Sequence, residues 1–212
     1  MNYWPEFFAV AVAHLLAVAS PGPDFAIVLK QSITHGRRTA LWTSIGVGTA
    51  ILIHVTYSVL GLGLLIRSSV LWFTVVKYAG AAYIAWLGIQ ALRSKPRYPA
   101  NAAGSLGAGA SFPSERAAFL TGFLTNALNP KATLFFLSLF ILVVSPQTPK
   151  LIQVGYGLWM ALATMAWFSF VSLVFTKREV REKFLRHGHW IDRALGVVFL
   201  AFALSLALSS IR

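Results

Sequence analysis

The 212-residue chain has no cysteine, which excludes disulfides, thiolate metal sites, iron–sulfur clusters and thiol redox chemistry. It is also short of charge. Only 11% of its residues are charged, less than half of the roughly 25% usual in soluble domains, so an ordinary water-soluble globule and a disordered chain are both ruled out. Acidic residues are the scarcest, six against 18 basic ones. No Ser/His/Asp order, paired carboxylates, glycine-rich phosphate loop or nucleotide-binding lysine occurs, which speaks against an enzyme and against ATP-driven work by this chain. Nothing in the sequence implies a cofactor or a metal.

What the chain has instead is apolar length. Hydrophobic residues make up 57% of it, and the mean hydropathy is +0.70. A spanning helix takes about 20 apolar residues. Six stretches qualify, roughly 5–29, 40–66, 69–92, 117–144, 151–175 and 191–210. The expected fold is an all-α membrane protein of six transmembrane helices, a single membrane domain over residues 1–212. Its start, MNYWPEFF, is acidic where a cleavable signal would be basic, so the first span is expected to stay in the protein.

The basic residues orient the bundle. Lys30, Arg37 and Arg38 follow span one; Arg93, Lys95, Arg97 and Arg116 follow span three; Lys177, Arg178, Arg181, Lys183 and Arg186 follow span five. The opposite side carries only Arg67, Lys150 and Arg212. This asymmetry puts loops one, three and five in the cytoplasm and both termini on the far side. Trp4, Trp72, Trp159 and Trp190 fall near span ends, where indole rings favour the interface. The net charge of +12 is then explained by topology and by anionic lipid, and not by nucleic acid.

Residues 94–114 (SKPRYPANAAGSLGAGASFPS) lack apolar periodicity and read as a flexible cytoplasmic linker between halves 1–93 and 115–212. The halves share landmarks. Setting Gly80 on Gly196 aligns Tyr83 with Phe199, Ala85 with Ala201, Trp86 with Phe202 and Lys77 with Arg193. Pro23 of span one corresponds to Pro130 of span four, at an offset that needs extra residues in the basic fifth loop. Three spans per half force the second half to enter the membrane from the other side, so an inverted 3+3 repeat is expected.

The two prolines lie in breaks. In Ser20-Pro21-Gly22-Pro23-Asp24 each proline lacks an N–H, so the carbonyls of Ala17 and Ala19 lose their helical donors. Gly22, Pro23 and Asp24 then have the order of cap, first position and first-turn acid of a new helix. In span four, Asn126-Ala-Leu-Asn129-Pro130-Lys131 offers Asn129 as cap and Pro130 as first residue. Lys131 would sit against the positive end of its helix dipole, so an anion should offset it, either Asp24 or a bound carboxylate. Bare backbone in hydrocarbon is tolerated where protein buries it or a wet cavity borders it. A charge at mid-span costs about 2.5–3.5 kcal/mol on insertion scales, so neither charge should face lipid. Ser20, Pro21, Gly22, Pro23, Asp24, Asn126, Asn129, Pro130 and Lys131 are thus the candidate site.

The remaining polar residues rank lower. His54, inside span two, is a candidate proton relay or a satisfied bundle histidine. His14 reads as a packing residue with a hydrogen-bonded ring. His187-Gly188-His189 has metal-like spacing without a third ligand and reads as a solvated turn. Gly46, Gly48, Gly61 and Gly63 in span two leave a homo-oligomer face open, although Gly46-Val-Gly48 has the wrong spacing for a small-xxx-small seam.

These residues carry a family resemblance. SPGPDFAIVLKQSITHGRR (20–38), KYAGAAYIAWLGIQALR (77–93), GFLTNALNPKATLFFLSLF (122–140) and IDRALGVVFLAFALSLAL (191–208) resemble the lysine exporter / homoserine–threonine resistance (LysE/RhtB) family of small bacterial inner-membrane exporters. The resemblance implies export of amino acids or close derivatives across the bacterial inner membrane, energised by proton antiport; with the loop charges read as above, both termini would be periplasmic. The expected mechanism joins this to the site. Lys131 with a half-helix N-terminus would hold the substrate carboxylate; Asp24 with freed carbonyls would hold its ammonium. Proton and substrate would compete for Asp24, since burial favours the neutral acid and a nearby cation the ionised one. Apolar walls are expected from Tyr83, Trp86 and Phe123. A passive channel or facilitator on the same fold is the rival, separable by accumulation against a gradient.

Overall fold

The computed structural model describes residues 2–68, 70–95 and 113–208, and the regular structure among them is all helical. Eight helices follow one another: α1 (Trp4–Ala19), α2 (Pro23–Thr34), α3 (Gly36–Ser68), α4 (Val70–Leu92), α5 (Glu115–Ala127), α6 (Pro130–Leu142), α7 (Lys150–Val174) and α8 (Arg178–Leu208). Linker residues 96–112 lie outside the described residues, as do the side chains of Arg67, Trp72, Lys77 and Phe202 and the surroundings of Gly63 and Gly80.

By length and composition, α3 over Gly36–Gly61 and α7 are each able to cross a membrane; α1 and α2 pass the same test only together, bent by 52° at their break, as a broken span or a re-entrant loop would be. Pro130–Leu142 and the Ala81–Leu92 part of α4 are shorter apolar helices. The outward surface is rich in large apolar side chains, among them Leu128, Leu151, Leu162 and Leu208, a pattern fit for lipid contact and a liability in water.

Local chemistry explains where helices start and stop. Pro21 and Pro23 cannot donate to the turn before them, so α1 ends at Ala19 and α2 begins afresh, with Gly22 extended at its cap and Pro23 in its first turn. Leu128 and Asn129 separate α5 from α6, and Asn129 Oδ1 accepts from the Lys131 backbone N–H at 3.0 Å. Ser114 caps α5 by accepting from Ala117 N–H at 3.2 Å. His187, Gly188 and His189 are helical, within α8, so the expected turn is corrected: the basic stretch and the apolar segment after it form one long helix. Among the described residues no three His, Asp or Glu side chains gather to hold a metal.

α3 is the central strut, packed against α5 and α7. Glycines make these contacts close. A methyl on Gly46 would collide with the Phe119 carbonyl of α5, and one on Gly122 with the Thr43 carbonyl of α3. Gly48 instead faces α7, where a methyl would strike Met165. Residues two apart diverge by about 200° around a helix, so the two glycines serve two neighbours. Gly46 and Gly48 are thus consumed by packing within the chain, whereas a methyl on Gly61 would meet nothing within 4 Å. α4 crosses α8 at another glycine pair, Gly88 and Gly196.

The main core gathers Val10, Ile51, Val55, Phe135, Phe136, Leu139, Phe140 and Met160 from α1, α3, α6 and α7. A second cluster unites Phe25 and Val28 of α2 with Val47, Phe168 and Val171. At the far end Glu6 of α1 accepts from Ser145 N–H at 2.8 Å and from the Thr148 hydroxyl at 2.9 Å, fastening the N-terminus to the connection between α6 and α7.

Candidate functional site

The two breaks meet, and each satisfies the other. Asp24, in the first turn of α2, accepts through Oδ2 from Asn126 Nδ2 at 3.0 Å and from Asn129 Nδ2 at 3.1 Å. Lys131, in the first turn of α6, donates through Nζ to the Ser20 carbonyl at 3.3 Å and to the Ser20 hydroxyl at 3.2 Å. The charge that sits badly on its own helix dipole is therefore offset in part by a carbonyl that the other break has released. Gly22 lies under the lysine: a methyl there would stand 3.3 Å from Nζ.

Both asparagines use each end of the amide. Asn129 donates to Asp24 while its oxygen caps α6. Asn126, 2% exposed, donates to Asp24 while its Oδ1 faces His54 Nε2 at 3.1 Å. His54 Nε2 also faces the Asn126 carbonyl at 3.1 Å. Both oxygens only accept, so Nε2 carries the hydrogen and Nδ1 is left to accept from the Tyr57 hydroxyl at 2.5 Å. The ring stacks on Phe136, with centroids 5.3 Å apart and planes at 8°. His54 thus holds the Asn126 amide in the orientation that Asp24 needs.

A cavity of about 50 Å³ lies beside the breaks, bordered by Asp24, Lys131, Asn126, Asn129, Ser20, Gly22, His14 and Thr164. At roughly 10–15 Å³ per probe-sized centre it has room for a few water molecules. Asp24 Oδ1 is buried and has no hydrogen-bond partner among the described residues. On the other face of Ser20, Gly22 and Lys131 opens a vestibule of about 580 Å³, bordered also by Pro21, Pro23, Pro130, Tyr83, Trp86, Gln90 and Asp192. At its rim the Ser94 hydroxyl donates to Asp192 Oδ2 at 2.5 Å, and Arg193 Nε donates to the Ser94 carbonyl at 3.3 Å.

All nine candidate residues of the two breaks therefore come together, while His54 stands one residue behind them. Tyr83 and Trp86 do form an apolar wall, stacked at 5.7 Å, but of the vestibule. Phe123 borders neither space and stacks instead on Phe119. Three participants went unread in the sequence: Tyr57, Thr164 and Asp192. Tyr57 was within reach of inspection, being three residues from His54 on one helix face. Thr164 and Asp192 come from α7 and α8 and carry no local signal.

The family signature described as LysE type translocator matches residues 15–210. The chain belongs to the LysE type translocator family. Among its relatives, the threonine efflux protein of Salmonella typhimurium is 32% identical over 203 residues, 96% of this chain and 98% of the relative. The threonine efflux protein of Escherichia coli K12 is 30% identical over the same shares. The homoserine/homoserine lactone efflux protein of Salmonella typhimurium is 36% identical over 147 residues, 69% of this chain and 68% of the relative. No solved structure matches this translocator. Membership and the apolar helices make it a membrane protein, and the family is one of amino-acid efflux.

Proposed function

We propose that this translocator is a secondary exporter of a small neutral amino acid, such as threonine or homoserine, driven by protons entering as substrate leaves. The observation that carries the reading is the Asp24 carboxylate, with one oxygen held by two asparagines and the other buried and without a partner among the described residues, in a residue that borders a cavity together with Lys131. A lone carboxylate oxygen in such a place suits a proton or an ammonium, one at a time. Mutual exclusion at one oxygen is the simplest physical basis for antiport. Lys131 and the N-terminus of α6 would take the substrate carboxylate. His54 is assigned to positioning Asn126, since its route to Asp24 runs through an amide, which is a poor proton carrier.

The vestibule is large enough for an amino acid and the inner cavity is not, so substrate would load at the Tyr83–Trp86 side and reach Asp24 only when the helices part. The charge asymmetry of the loops supports an orientation with that side in the cytoplasm and both termini in the periplasm of a bacterial inner membrane. The architecture proposed is six spans in an inverted 3+3 repeat, α1–α2 matching α5–α6, with halves 1–93 and 115–212 joined by linker 94–114. Reciprocity at the α4–α8 crossing supports it. Gly88 abuts the Gly196 carbonyl as Gly196 abuts the Gly88 carbonyl, and Leu200 stands over Gly88 as Leu92 stands over Gly196. The spacing that relates these pairs differs by one residue from that between Pro23 and Pro130. That register needs an insertion of a single residue, fewer than the Gly80–Gly196 alignment requires, and is the one proposed here.

Purified protein in liposomes, given radiolabelled threonine, homoserine and a panel of other amino acids under an imposed pH gradient, tests the reading. Gradient-driven accumulation of one of them by the wild type, lost in Asp24→Asn, is expected. Movement that never exceeds equilibrium would make the protein a facilitator, and undiminished coupling in Asp24→Asn would remove Asp24 from the mechanism.

A further inference from the structure

The inner cavity has one more polar group that the export reading leaves idle. His14 lies on α1, is fully buried and borders the cavity together with Ala17, one turn later on the same helix face. Its Nε2 stands 3.1 Å from the Met160 carbonyl and 3.0 Å from the Thr164 hydroxyl of α7. A carbonyl only accepts, so in the neutral ring Nε2 carries the hydrogen and Nδ1 is a bare acceptor. Nδ1 is buried and has no hydrogen-bond partner among the described residues. A packing histidine gains nothing from such an atom, because an unmet buried acceptor costs stability. Two residues that border the cavity, His14 and Asp24, therefore each carry a buried acceptor, Nδ1 and Oδ1, with no partner among the described residues. Ala17 borders the same cavity, and its carbonyl has lost its helical donor because Pro21 has no N–H.

We propose that His14 Nδ1, Asp24 Oδ1 and the Ala17 carbonyl form a three-acceptor cradle for the substrate's primary ammonium, which makes His14 a specificity-determining residue. This rests on the export reading and deepens it. An R–NH3⁺ group has three N–H donors at tetrahedral angles, one for each acceptor, while Lys131 takes the carboxylate. A substrate with fewer N–H groups leaves one acceptor bare, and the site rejects it for that reason.

Two amide substitutions separate this role from a structural one. In asparagine the amide falls where Nδ1 was and restores an acceptor there; in glutamine it falls where Nε2 was and keeps the tie to Met160. Transport of threonine and N-methylthreonine by the wild type, His14→Asn and His14→Gln is measured in the same liposomes. The wild type is expected to show a KM about tenfold higher for N-methylthreonine. His14→Gln is expected to raise the KM for threonine about tenfold and to lose most of that discrimination, with His14→Asn staying within about threefold of wild type. Equal KM values for the two substrates in the wild type overturn the cradle, as does an undisturbed His14→Gln beside a disabled His14→Asn. The wild-type comparison decides the matter even if both variants misfold. Should the wild type transport no amino acid, the export reading fails separately. Stabilisation against heating by threonine over N-methylthreonine then decides the cradle, and equal shifts overturn it.

Discussion

The two helix breaks use the same device with different finish. At the second, Asn129 caps its own helix with one end of its amide and grips Asp24 with the other, and Asn126 is locked by His54 and Tyr57. At the first, Gly22 caps α2 without any side chain, and what the break contributes is the carbonyl and hydroxyl of Ser20. One break is a framework of amides and the other a stretch of exposed backbone. The acid sits on the backbone side and is held by the amides; the base sits on the amide side and is held by backbone. The two breaks carry complementary chemistry, so the two sites are not interchangeable.

Exchanging the charges tests that most severely. Asp24→Lys with Lys131→Asp would aim an ammonium at two amide N–H groups and a carboxylate at a carbonyl. Export is expected to fall by at least about a hundredfold, each mismatched charged hydrogen bond costing about 1.5–3 kcal/mol. Recovery of a tenth of wild-type flux would make the breaks equivalent after all.

The fixity of the second break also depends on what holds α5. Gly122→Ala drives a methyl into the Thr43 carbonyl, whereas Gly61 has nothing within 4 Å of the same position. Thermal unfolding in detergent should show a loss of about 1–3 kcal/mol for Gly122→Ala. For Gly61→Ala it should show no loss, or a gain approaching about 1 kcal/mol from helix propensity.

Asn129→Ala removes a cap and one of two donors to Asp24, for an expected loss of about 1 kcal/mol from the cap alone. The same unfolding measurement checks it, with a reduced flux alongside. The smallest effect belongs to Gly22→Ala. Its methyl meets only the flexible end of Lys131 at 3.3 Å, so folding should survive and the KM rise about two- to fivefold, well under 1.4 kcal/mol. A loss of folding in this variant would mean that the first break is as rigid as the second.

Much of this was legible in the sequence for a definite reason. Proline lacks a donor wherever it stands, so Pro21, Pro23 and Pro130 mark breaks without reference to any neighbour, and Asn129 before Pro130 marks a cap. The band of Lys and Arg after every second span is likewise local information. What stayed hidden depends on a second helix. Gly46 and Gly48 look alike in sequence, and only the identity of what lies opposite, α5 or α7, gives each its purpose. His14 reads as a packing residue, and it does pack; its idle nitrogen is visible only once α7 has claimed the other one. His187 and His189 misled because a charged stretch suggests a loop, when tertiary support lets α8 run straight through it.

Glu6 has a consequence of another kind. Its carboxylate binds the first half of the chain to the turn before α7, at the end opposite the vestibule. A carrier driven by protons loses its power source through every opening that occurs without cargo. On the export reading, parting of the far side would break the contacts of Glu6 with Ser145 and Thr148, so an empty carrier meets a toll that the binding of substrate must help to overcome. The acid at the very start of the chain would then govern leakage, setting how well the cell keeps its gradient while the exporter idles.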